Sequence, residues 1–102
     1  MLHMLVGTHS ADTCAFAVPE WRNKALADFK RRDEVTKKLG ITLQGSWVNM
    51  PNHTMYMVFD APNAHVVNQM AIELGLMDWN TIVVSAVMDF DEVQKVLQQR
   101  KT

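Results

Sequence analysis

A chain of 102 residues falls within the size of one domain and is long enough to bury roughly two-thirds of the surface its unfolded form exposes. Apolar residues make up 48% and charged residues 21%, which excludes the polar, highly charged profile of a disordered segment. Ten basic residues face eleven acidic ones for a formal charge of -1, and the main basic run (Lys30, Arg31, Arg32, Lys37, Lys38) is interrupted by Asp33 and Glu34; this is the pattern of a solvated helix face, not of a nucleic-acid or anionic-membrane surface.

The opening "MLHMLVGTH" is short, largely apolar and ends in a Gly-Thr-His-Ser turn signal, which predicts a strand from Leu2 to Thr8. It lacks the basic n-region and long apolar h-region of a signal peptide, and a single cysteine makes no internal disulfide. The expectation is a cytoplasmic protein. No apolar run approaches the roughly 18 residues that cross a bilayer.

Pro19 suits a first helical position, and Trp21, Ala25, Leu26, Phe29, Val35 and Leu39 recur at helical spacing until Gly40 supplies a C-cap. "ITLQGSWVNM" reads as a second strand and "HTMYMVFD" as a third, joined through "PN" as a hairpin. In "APNAHVVNQMAIELG", Pro62 and Asn63 start a helix that places Val66, Val67, Met70, Ala71 and Leu74 on one face and stops at Gly75. "NTIVVSAV" is a fourth strand, and "DFDEVQKVLQQ" a short terminal helix capped by Asp89.

The order βαββαβ plus a tail helix predicts an α+β fold of the ferredoxin-like kind, residues 1–102 forming one domain with a four-stranded antiparallel sheet and helices on one face. The strands are apolar on both faces: Met55, Met57 and Phe59 point one way, Tyr56 and Val58 the other. A second apolar sheet face calls for a partner chain, since a large apolar patch is rarely left open.

In element order, length and two-faced sheet the chain resembles the dimeric α/β-barrel superfamily, in which two ferredoxin-like protomers pack sheet against sheet. "NHTMYMVFDAPNAHVVNQM" is also similar to the H-x-x-Y/F-x-V-x-E/D-A-P hairpin-to-helix junction of small barrels, with Asp60 as the acidic residue. The resemblance implies a homodimer. It does not imply one chemistry, because the superfamily includes monooxygenases, isomerases, stress-response proteins and metal-binding proteins.

In such a sheet the third strand runs antiparallel beside the first, so His9 at the end of one meets His53 at the start of the other, with Gly7 opposite Met55 and Leu5 opposite Met57. The loop leaving His9 carries Cys14, close enough to fold its thiol over the same sheet end. Two imidazoles and a thiolate are competent ligands for zinc, nickel, copper or iron, and leave a position open for water or substrate, with Asp12 as a possible fourth donor. Haem ranks lower. His9, Cys14 and His53 are therefore the expected metal residues, although each taken alone reads as a turn or core residue.

Two other functions compete with metal binding. A small-molecule enzyme of monooxygenase or isomerase type would use an apolar cavity lined by Trp47, Tyr56, Met55 and Met57, with Trp79, Met4 and Met50 also placed there. A structural or regulatory dimer would instead use the same aromatic and methionine side chains as core and interface.

Overall fold

The computed structural model describes residues 1–100. Its elements are β1 (Leu2–Thr8), α1 (Pro19–Phe29), α2 (Arg32–Leu39), β2 (Thr42–Asn49), β3 (Thr54–Asp60), α3 (Ala64–Glu73), β4 (Thr81–Val87) and α4 (Phe90–Gln99). Single 3-10 turns lie at Ala11–Thr13 and Leu76–Asp78.

The four strands form one antiparallel sheet in the order β2-β3-β1-β4, the ferredoxin-like arrangement, with β1 and β3 in the middle. Gly7 lies opposite Met55 and Leu5 opposite Met57, as strand polarity required. Side chains alternate across the sheet. Leu5, Met55, Met57 and Phe59 are buried in one cluster with Val67, Met70, Leu74 and Leu76 from α3 and the turn after it. Met4, Val6, Tyr56 and Val58 point the other way and are only half-buried.

That second face remains open. Trp47 sits opposite Tyr56 on it and Val83 opposite Val6, and these two outer residues are 60% and 57% exposed. Gly45 makes room for the Trp47 indole, because a Cβ there would lie 2.6 Å from the ring. The pairing also slips at Gln44, between Leu43 and Gly45, where β2 bulges.

The helix expected from Pro19 to Leu39 is broken at Lys30 and Arg31 into α1 and α2. Ten residues separate Ala25 from Val35, so an uninterrupted helix would turn Val35 about 80° away from the direction of Ala25. With the break in place, both side chains are buried. Arg31 anchors the junction by donating from Nη1 to the Glu73 carbonyl, 3.2 Å away. Gly40 ends α2 in the left-handed conformation, φ 70°, as its C-cap role required.

α4 follows Asp89, whose side chain makes no capping hydrogen bond, contrary to expectation. The helix has no buried residue, and Phe90, Val93 and Leu97 form a stripe along it of which Phe90 and Leu97 are exposed and Val93 is half-buried. No helix among the described residues is long and apolar enough to cross a membrane.

Candidate metal centre

β1 and β3 end together, and the backbone N–H of His9 donates to the carbonyl of His53 at 3.1 Å, one step beyond the last paired residues Thr8 and Thr54. The two imidazoles consequently meet edge to face, with ring centroids 5.3 Å apart. His53 occupies the turn between β2 and β3 with φ 50°, a left-handed conformation uncommon for a residue with a Cβ. Its backbone N–H closes that turn onto Met50 O at 3.1 Å.

Cys14 follows the turn Ala11–Thr13, and its carbonyl accepts from the backbone N–H groups of Ala17 and Val18 at 3.1 and 2.9 Å. Those bonds lead the chain into Pro19 and the first turn of α1. The thiol is thereby folded inward and buried. One donor atom from each of His9, Cys14 and His53 lies within 4.8 Å of the other two. Asp12 is exposed and stands outside the group.

A residue that sequence reasoning overlooked fixes the chemistry of His9. Asn80 Nδ2 donates to the Leu76 carbonyl at 3.1 Å, which turns the amide so that Oδ1 faces His9 Nδ1 at 3.0 Å. An oxygen can only accept, so Nδ1 is the donor, and in the neutral ring this leaves the lone pair on Nε2. That Nε2 is buried without a hydrogen-bond partner among the described residues, and so is Nδ1 of His53. Buried polar atoms are almost always satisfied, and two unpaired imidazole nitrogens beside one buried thiol are what an ion would satisfy.

The signal for Asn80 was present in the strand order. β4 pairs with β1 on the side away from β3, Thr8 opposite Thr81, and continuing that register puts Asn80 opposite His9. Trp79 packs against His9 as well, ring centroids 5.2 Å apart, and its buried Nε1 has no partner among the described residues.

The turn that carries Trp79 and Asn80 is tied to α1 by Lys24, whose Nζ lies 2.8 Å from Asp28 Oδ2 and 3.0 Å from Asp78 Oδ2. The hydrogen bonds to Asp28 and then to Asp78 hold the ammonium above its ordinary 10.5.

The residues expected to line one apolar cavity divide between the two faces of the sheet. Met55 and Met57 are buried with the helices, while Tyr56, and Trp47 opposite it, belong to the open face with Met4. Trp47 does border a small depression of about 120 Å³ with Met55 and Met57 at the β2 edge, but Tyr56 does not reach it. Met50 is exposed. A larger cleft of about 310 Å³ adjoins the candidate metal residues between α1 and the sheet end; of the expected residues, Met55 and Trp79 line it, beside His9.

A family described as "Domain of unknown function (DUF3303)" matches residues 2–101, and the chain belongs to it. No curated protein matches the chain.

Proposed function

We propose that this member of the family is a metal-binding protein whose ion is held by His9 Nε2, His53 Nδ1 and the Cys14 thiolate, with at least one coordination position left to an outside ligand. The observation that carries the reading is the pair of unpartnered buried imidazole nitrogens, on two histidines that each place one donor atom within 4.8 Å of the other and of a buried thiol. Two nitrogens and a sulfur form a borderline-soft set suited to zinc, copper, nickel or iron. Bonds of about 2.0–2.3 Å hold neighbouring ligands roughly 3.3–3.8 Å apart, so a contraction of about 1 Å, within the reach of side-chain torsions, closes the set on an ion. A bound ion of this kind supplies Lewis acidity and acidifies a bound water.

Elemental analysis of protein made without a polyhistidine tag, before and after incubation with each of the four metals, tests the reading. One ion per native chain and almost none in His53→Ala is the expected result. If the native chain takes up none of the four, the reading is wrong.

The apolar cleft beside these residues favours a second reading, a small-molecule enzyme, in which that ion would be catalytic. In either case we infer that the chain acts as a homodimer, a reading supported by two apolar surfaces that a single copy leaves exposed, the open sheet face around Trp47 and Val83 and the stripe of α4.

A further inference from the structure

We propose that α4 is an exchanged arm, its apolar stripe docking in the groove between α1 and β2 of a second copy of this chain. The inference rests on the homodimer reading above and is independent of whether a metal binds.

The groove is built from two hollows that share Phe29, Val48 and Met55. The cleft of about 310 Å³ lies toward His9 and Trp79, and the depression of about 120 Å³ continues it along β2 past Trp47. The walls of the cleft are almost wholly apolar, and Leu26, Phe29 and Val48 stand exposed to solvent around it. Such a lining fits the apolar side chains of a docking helix. Arg22 borders the cleft and Arg32 the depression, and no acidic residue lines either among the described residues.

α4 has the complementary surface. Phe90, Val93 and Leu97 recur at i, i+3 and i+7, the spacing with which a helix anchors in an apolar groove. None of the residues of α4 is buried, and Asp91 and Glu92 place two carboxylates in its first turn, opposite in charge to the two arginines of the groove. The Cα radius of gyration is 15.7 Å, against about 13 Å for a compact domain of this length, and the excess fits a helix carried outside the core.

The chain does not reach its own groove. β2 and β4 are opposite edges of the sheet, and α4 leaves β4 at the end where Val87 faces Leu2, away from the end that carries His9. The ten residues of α4 span about 15 Å, whereas the length of the sheet alone is roughly 23 Å. A two-fold axis parallel to the strands, with open face packed on open face, sets β4 of each copy over β2 of the other. Each α4 then starts beside the partner's β2 edge and runs along it toward the cleft that His9 lines.

Sedimentation equilibrium of two variants, separately and mixed, tests the exchange. Leu26→Glu damages the groove and Leu97→Glu the arm; both positions are exposed in the single chain, so the circular dichroism should stay native. Each variant alone should dimerise about tenfold or more weakly, because both of its arm contacts are damaged. The equimolar mixture should associate at least about threefold more tightly than either variant, since the intact arm of one meets the intact groove of the other. A variant that loses its circular dichroism is replaced by serine at the same position, with the same expectation. Variants that stay weak when mixed, or that dimerise as tightly as the native chain, overturn the exchange; the homodimer survives both results, and the groove then belongs to another occupant, such as a small apolar molecule. Native protein that is a monomer at every concentration removes the homodimer reading and this inference with it.

Discussion

His9 and Asn80 face each other across the ends of β1 and β4, 71 residues apart in the chain and 3.0 Å apart from Nδ1 to Oδ1. The amide acts through the imidazole by selecting which ring nitrogen is free. Asn80→Ala should therefore weaken zinc binding by about 10- to 100-fold, measured by competition with a chromophoric chelator. Asn80→Asp keeps the acceptor and should bind at least as tightly as the native chain. Equal affinity in all three proteins would show that the hydrogen bond has no part in the site.

His53 combines a donor role with a backbone conformation that suits glycine. In metal-free protein, His53→Gly should be more stable than His53→Ala by about 1 kcal/mol in urea unfolding, since only the alanine must hold a Cβ in the left-handed region. Neither variant should bind zinc. A glycine variant no more stable than the alanine variant would mean that the turn relaxes without strain.

Lys24 makes a pH-dependent contribution to stability. Its folded pKa is raised above the unfolded value of 10.5, so the stabilisation is complete below 10.5 and is lost as pH rises through the folded value. Lys24 is partly exposed, and solvent screening keeps the effect at or below about 1 kcal/mol. Lys24→Met should melt lower than the native protein at pH 7, and the two should converge above pH 10.5. A constant difference in melting temperature across that range would remove the ion pairs from the account.

Val83 lies on the edge strand β4, on the open sheet face, and is exposed in the single chain. Val83→Glu should leave the circular dichroism of the fold unchanged and turn a sedimenting dimer into a monomer, because an unpaired carboxylate inside a sheet-on-sheet interface is costly. Native protein that sediments as a monomer at every concentration would refute the pairing.

The sheet was legible because its signals are local and alternating: β1 runs from Leu2 to Thr8 as its apolar pattern predicts, and strand polarity alone brings His9 to His53. The break in the first helix was not, since the apolar spacing runs across Lys30 and Arg31 without a local signal for it. Trp47 and Tyr56 were grouped with Met55 and Met57 by chemistry, whereas the pleat separates them by parity. Asn80 went unnoticed because only one of the two neighbours of β1 was considered. Convergence from distant segments is visible only when every strand beside the central one is placed.

The central position of β1 also sets the order of events in folding. His53 arrives with β3, Asn80 with β4, and Cys14 with the chain that leaves β1 itself, so His9, Cys14 and His53 come together only once β1 has paired with β3, and Asn80 joins them with β4. The hairpin of β2 and β3 closes within a few residues and forms early, while insertion of β1 between distant partners is slow. On the proposed metal reading, ion uptake would report the pairing of β1 with β3 during folding. During refolding, a cobalt or zinc signal lags behind hairpin formation and rises with the insertion of β1.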